Sequence, residues 1–387
     1  MEQQRANSLL FTPIKMGDLI LPNRIVMAAL TRMRADKKTG IPNELHAQYY
    51  SARADSGFIL TECSAIRPDG NSFVGSAGIY TEEQALGWKK VVDAVHEKGG
   101  RIFLQIWHAG RAAHPEQIGG LQPISSSAIA INGSATFVKG KANHQVPKAA
   151  TIEDIQQLLR DFRKGAENAK KAGFDGIQLH GAHGYLIDQF LRNKANQRTD
   201  EYGGSIENRC RFPLQVMDQL IEVFGSGRVG IKVSPIYDFN DNADSDPFSL
   251  YSYFIEQLNK RQVAFLEINE AISLDPAQEK VKHQEIFGSR KEKSLREIFK
   301  PQFSGLFITN YKLTFEKSNE ILQKGHADLC SFGTSYVFND QLVEKYKTGS
   351  TLNGAKYIED KSKLFREYFY GSTAVGYTDL TVYQPKL

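Results

Sequence analysis

Phe174-Asp-Gly-Ile-Gln-Leu-His-Gly-Ala-His-Gly-Tyr-Leu-Ile-Asp-Gln-Phe-Leu191 is the stretch on which the fold turns. Its apolar opening, 174–179, has the length and character of a buried strand. The run stops at two imidazoles and a phenol, His180, His183 and Tyr185, spaced by small residues. At a strand end the backbone ceases to pair and side chains can converge on a ligand; in a parallel α/β barrel that edge is the catalytic rim. Such a cluster can grip a carbonyl oxygen and deliver a proton. Two plainer readings stand beside this one. His-x-x-His is a common metal pair, but zinc wants a third protein ligand, and no Cys, Asp or Glu at ligand spacing supplies one, so no metal is expected. Two structural histidines closing a strand are the other.

Outward from this strand, short apolar or β-branched runs recur at 24–30, 58–65, 101–107, 229–234, 264–269, 306–309 and 328–332, which makes eight in all. Helix-period segments lie between most of them, at 82–98, 152–172, 205–224, 247–260 and 314–324. Several begin at a capping residue: Thr81, Thr151, Ser205 and Thr314. Thr151 and Asp154 also have capping-box spacing. This alternation predicts an α/β protein, a single (β/α)8 TIM barrel over residues 1–387, since such barrels run past about 250 residues as one domain. Two stretches break the rhythm. Segment 108–150, rich in Gly, Ser and Ala, is an excursion after strand 3 that should flank the active face. Segment 275–300 follows strand 6 and carries Lys280, Lys282, His283, Arg290, Arg296 and Lys300 among its cations. It reads either as a solvated loop and helix or as a mobile lid whose charges meet a phosphorylated cosubstrate.

Composition narrows the class. With 41% hydrophobic residues and a net charge of +4, the chain is globular and too mildly basic to argue for nucleic acid. Cys63, Cys210 and Cys330 are scattered and odd in number, which argues for a reducing compartment and against disulfides or an iron–sulfur cluster. No apolar run approaches the about 18 residues of a membrane span, and residues 1–8 form no signal core. A cytoplasmic protein is expected. The ending Pro385-Lys386-Leu387 lies near the Ser-Lys-Leu peroxisomal address, with proline in the first place, and makes the peroxisome the weaker alternative.

Longer strings carry a family resemblance: Leu10-Phe-Thr-Pro-Ile14, Leu21-Pro-Asn-Arg-Ile-Val-Met27, Leu104-Gln-Ile-Trp-His-Ala-Gly-Arg111, the 180–191 block, Arg198-Thr-Asp-Glu-Tyr-Gly-Gly-Ser205, Glu207-Asn-Arg209 and Gly376-Tyr-Thr-Asp379. Nearly end to end, the chain resembles the old yellow enzyme family of flavin-dependent ene reductases. It is similar to the branch holding oxophytodienoate reductases and bacterial enone and nitroester reductases. The resemblance implies FMN as cofactor, NADPH as hydride donor, and ping-pong reduction of an activated C=C bond in an α,β-unsaturated carbonyl or nitro compound. It implies that His180 and His183 donate to the substrate oxygen, that Tyr185 protonates the α carbon, and that Trp107 and Tyr370 shape the pocket. Thr31 matches the hydroxyl near flavin O4, Gln105 the amide at the pyrimidine edge, and Lys232 the cation beside N1, where charge on reduced flavin collects.

Several positions depart from the family pattern. Lys232 replaces an Arg and loses its planar fork. Gly333-Thr334 stands where Gly-Arg holds the flavin phosphate, so a charge-assisted contact is missing. Thr309-Asn310-Tyr311 stands where a double glycine is usual, with Asn310 the residue suited to positive φ. Ala29 and Cys63 replace proline and a smaller residue near the flavin face. These changes are expected to weaken flavin retention, and they keep open a flavin-poor binding or scaffold protein. A metal-dependent barrel hydrolase built on His180 and His183 is a further alternative.

Overall fold

The structure, a computed structural model, describes residue 5 and residues 7–135, 138, 142–273, 276–354 and 368–383, without the side chains at 276, 277 and 280. Asp275, the Lys280 side chain and Pro385-Lys386-Leu387 therefore lie outside the described residues. Eight parallel strands close on themselves: β1 Ile25–Met27, β2 Phe58–Ala65, β3 Ile102–Trp107, β4 Gly176–Gly181, β5 Val229–Val233, β6 Phe265–Asn269, β7 Leu306–Asn310 and β8 Leu329–Phe332. They are the eight runs the sequence marked, most with the ends trimmed, while β4 and β7 extend past the marked ends to Gly181 and Asn310.

Each strand is followed by a helix: α1 Glu44–Ser51, α2 Glu82–Glu97, α3 Ile152–Ala172, α4 Ile206–Phe224, α5 Pro247–Lys260, α6 Leu295–Phe299, α7 Phe315–Gln323 and α8 Leu342–Thr348. Thr81, Thr151, Ser205 and Thr314 each accept a backbone N–H three residues on, as N-caps do. Thr151 and Asp154 complete a reciprocal box at 3.2 and 2.9 Å. The sequence reading marked no helix at α1 or α8, and α6 falls inside the segment it read as a loop and helix or a lid. The inner face of α1 is His46, Ala47, Tyr49 and Tyr50, too polar at its tips to register as an apolar stripe, and the other two run for five and seven residues.

A hairpin of Ile14–Met16 and Leu19–Leu21 lies beneath the barrel. Its Met16 and Leu21 pack with Phe58, Leu60, Phe103, Phe265 and Leu329. The rings of Phe58, Phe103 and Phe265 meet at 5.0, 5.5 and 5.9 Å and fill the floor. No helix among the described residues is long and apolar enough to cross a membrane.

The two irregular segments fall where expected but differ in character. The 108–150 excursion adds a two-residue parallel ladder, Ile124–Ser125 with Lys148–Ala149, and packs Ala109, Ala112, Ala113, Ile118 and Ile131 onto Cys63, Trp107 and Tyr185. It flanks the upper face. The segment after β6 is a helix, Pro276–Phe287, a short turn and α6, anchored by buried Phe287, Leu295 and Phe299. Four of its cations are engaged within the protein. Lys282 pairs with Asp238, Arg296 with Glu270 at 2.9 Å and Lys300 with Asp328 at 2.6 Å, while Arg290 lies over Phe248. The barrel's own carboxylates and an aromatic ring lie within reach of these side chains and take up their charge.

A strap closes the upper face from the other side. Arg34 donates to the backbone oxygens of Tyr368 (2.6 Å), Phe369 (2.5 Å) and Val375 (3.1 Å), and Arg32 to those of Phe369 (3.0 Å) and Gly376 (2.5 Å). Both guanidinium groups are buried. Tyr377 of the strap stacks on Tyr49 at 4.0 Å.

Candidate active site

Strand register assembles the site. Because side chains alternate along a strand, inward residues of neighbouring strands form layers, and the barrel's stagger steps each layer upward. Cys63 of β2 pairs Gln105 of β3, which pairs Gln178 of β4. Two residues up, His180 pairs Lys232 of β5, which pairs Glu267 of β6. Two more up, Asn269 pairs Asn310 of β7, which pairs Ser331 of β8. This polar spiral sits above the phenylalanine floor. At its top opens a cavity of about 390 Å³ lined by Ala29, His183, Lys232, Asn310, Gly333 and Thr334 among others, within the usual size of a small-molecule site.

The remaining candidates adjoin it through contacts. His180 lies 5.4 Å from His183 and 5.0 Å from Tyr185, ring to ring, and Trp107 lies 4.7 Å from Tyr185. Phe73 bridges Trp107 at 5.9 Å to Tyr370 at 6.5 Å. Thr31 Oγ1 meets Cys63 Sγ at 2.9 Å. Burial pushes the Cys63 thiol up and keeps it neutral.

The turn after β4 explains the glycine between His183 and the phenol. His183 and Gly184 both have positive φ (57° and 68°), and a Cβ at position 184 would lie 2.5 Å from the Phe239 oxygen. Asp188 holds the turn by accepting from the Gly184 N–H at 2.8 Å, and Ser234 Oγ accepts from the His183 N–H at 2.8 Å.

Hydrogen bonding fixes both tautomers. The Ala182 N–H donates to His180 Nδ1 at 3.3 Å, which leaves the ring hydrogen on Nε2. Asn269 Oδ1 accepts from the Ala271 N–H at 2.8 Å, so its amide nitrogen is the atom 3.1 Å from His183 Nε2. The amide nitrogen donates, His183 Nε2 accepts, and the His183 hydrogen sits on Nδ1. The resemblance implied two imidazole donors; the geometry supplies one ready donor and a second ring held by Asn269. Burial, reinforced by Lys232, pushes His180 down to about 3, and burial with His180 and Lys232 holds His183 well below its ordinary range. Both are neutral imidazoles. Burial likewise pushes the Tyr185 phenol up, so it keeps its proton.

Beneath the imidazoles runs a buried chain absent from the sequence reading. Gln105 Nε2 donates to Gln178 Oε1 at 2.6 Å, Gln178 Nε2 donates to Glu267 Oε2 at 2.8 Å, and Glu267 Oε1 lies 3.2 Å from Lys232 Nζ. Glu267 is fully buried. One of the two Gln105 amide hydrogens is thus engaged by Gln178. A glutamate inside an apolar strand was the available signal, and only the register connects it to Lys232.

Residues 9–353 match the model of the NADH:flavin oxidoreductase / NADH oxidase family. The chain belongs to that family. It is 40% identical to 12-oxophytodienoate reductase 1 of Oryza sativa subsp. japonica over 96% of this chain and 92% of that one. It is 39% identical to a probable flavin mononucleotide-dependent alkene reductase of Leishmania infantum, over 96% of each. The old yellow enzyme homologue from Zymomonas mobilis superposes with a TM-score of 0.86 at 34% identity, covering 98% of this chain and 99% of that one. The old yellow enzyme resemblance and the barrel are both borne out.

For a member of the NADH:flavin oxidoreductase family, the residues present fit a flavin mononucleotide. Lys232 is only 5% exposed, lines the cavity and makes no aligned hydrogen bond with any described residue, so its three donors suit an acceptor edge there. Ala28, Ala29 and Leu30 give an apolar wall. Ser331, Thr334, Ser335 and Lys312 line the same cavity with hydroxyls and one ammonium suited to an anionic group. Lys312 was not foreseen from sequence. The loop after β7 also corrects an expectation: Asn310 stays in the strand, and Tyr311 (φ 120°) and Lys312 (φ 48°) take the positive φ. Among the described residues no cluster of three His, Cys, Asp or Glu is placed to hold a metal.

Proposed function

We propose that this protein is an FMN-dependent NADPH oxidoreductase of the ene reductase kind, reducing the activated C=C bond of α,β-unsaturated carbonyl or nitro compounds with ping-pong kinetics. The observation that carries this reading is the neutral His180, with its Nε2 hydrogen, set 5.0 Å from a protonated Tyr185 beside the cavity that Lys232 lines. Bound FMN supplies the centre that takes hydride from the nicotinamide and returns it to the alkene. His180 donates to the carbonyl or nitro oxygen, drawing electron density from the double bond and stabilising the enolate-like charge. His183 adds a second donor once Asn269 yields and the ring hydrogen shifts from Nδ1 to Nε2. Tyr185 gives its proton to the α carbon. Lys232, Gln105 and Thr31 would hold the polar edge of the cofactor with Ala29 and Cys63 beside it, Asn310, Gly333 and Thr334 would hold its phosphate end, and Trp107 and Tyr370 would shape the substrate space. The names of the relatives support an alkene acceptor, and the family description supports a nicotinamide donor; the choice of NADPH rests on the resemblance. Anaerobic titration with NADPH should bleach the flavin band, and a cyclic enone should restore it. A second reading, a flavin-poor scaffold, is favoured by Thr334 in the arginine's place, and pure protein without visible flavin absorbance would select it.

A further inference from the structure

We infer that Glu267 sets the reduction potential of the site by neutralising Lys232, and so divides the driving force between the two half-reactions. The inference rests on the FMN reading above. Lys232 and Glu267 are 5% and 0% exposed and lie 3.2 Å apart, so neither charge is relieved by water. Each compensates the other. Glu267 Oε1 is near the ammonium without a hydrogen-bond alignment, so the attraction is chiefly Coulombic and leaves the ammonium donors directed elsewhere. Its other oxygen accepts from Gln178, which in turn orients Gln105. One carboxylate therefore governs two of the groups assigned to the cofactor's polar edge.

No other charge replaces the one Glu267 cancels. His180 and His183 are neutral. The other cation lining the cavity is Lys312, which pairs with Glu279 at 2.9 Å. Transfer of a hydride from reduced nicotinamide brings two electrons and one proton and leaves one net negative charge on the bound ring system. A lone ammonium would favour that charge; an ammonium already matched by a carboxylate favours it less. The pair thus lowers the potential. Reduction by nicotinamide becomes less favourable, and delivery of the same two electrons and proton to the alkene, with a second proton from Tyr185, becomes more favourable by the same amount.

The test compares wild-type holoenzyme with Glu267→Gln and Glu267→Asp, measuring midpoint potentials by anaerobic reductive titration against a reference dye. Glu267→Gln keeps the side-chain shape and should favour the reduced form at least tenfold, about 30 mV for a two-electron couple. Glu267→Asp keeps the charge and should stay nearer wild type. A Glu267→Gln potential equal to or below wild type overturns the inference. So does loss of FMN from Glu267→Gln while the other two remain loaded, because an uncompensated ammonium should not loosen an anionic ligand. Wild-type protein that takes up no FMN overturns instead the function proposed above, and the inference falls with it; FMN bound at a potential indifferent to position 267 overturns the inference alone.

Discussion

Tyr185 holds its proton while the two imidazoles beside it resist gaining one, the division of labour that the proposed reaction uses. Tyr185→Phe should leave reduction by NADPH intact and slow enone turnover by about 10² to 10⁴, the usual worth of a positioned acid; stopped-flow measurement of each half-reaction separates the two. Equal enone rates would remove Tyr185 from the role. His180 has a second consequence for stability. Its value falls from 6.5 to about 3 on folding, so between those limits the unfolded chain binds the extra proton and stability declines as pH drops. The slope approaches about 1.4 kcal/mol per pH unit for this one residue. Urea denaturation of the wild type and His180→Asn at pH 5 and 7 should show a smaller pH-dependent loss in the variant. These residues were legible because they end a strand-like run. Glu267, Gln178 and Asn269 were not, because a single polar residue in an apolar strand has no meaning until neighbouring strands are placed beside it.

At the level of elements, local chemistry was readable wherever it was self-contained. Caps such as Thr151 depend on residues three positions apart, and Thr151→Ala should cost about 1 kcal/mol in chemical denaturation. Helices shorter than two turns, and the tyrosine-faced α1, gave too little periodicity to be seen. The loop after β7 carried the opposite lesson. Its composition suggested that Asn310 would absorb the unusual backbone angle, yet Asn310 is kept in β7 by pairing with Asn269 and by its amide donating to Ser331 Oγ at 3.2 Å. The turn therefore falls on Tyr311 and Lys312, where L side chains are strained by about 1 kcal/mol or more. Tyr311→Gly should raise the midpoint of thermal unfolding; a lowered midpoint would mean that the tyrosine ring contributes more than the strain removes.

Across the whole molecule, the strap ties residues distant in sequence to the site; the Gly376-Tyr-Thr-Asp379 string and Tyr370 marked the segment, but nothing in the chain announced that Arg32 and Arg34 would hold it. Arg32 and Arg34 turn inward to carbonyl oxygens rather than carboxylates, and burial together with Arg32 pulls Arg34 down to about 10. Arg34→Met should release segment 368–379, seen as faster proteolysis there and a higher KM for enones from a displaced Tyr370, at a stability cost of about 3 kcal/mol. The packed floor bears on the opposite end. With Phe58, Phe103, Phe265 and the N-terminal hairpin packed together below, a guest in the cavity above does not pass out through the floor of the barrel. Under the function proposed above, donor and acceptor would both enter from the upper face and share one berth, so excess enone should obstruct the incoming nicotinamide and turnover should decline at high enone concentration.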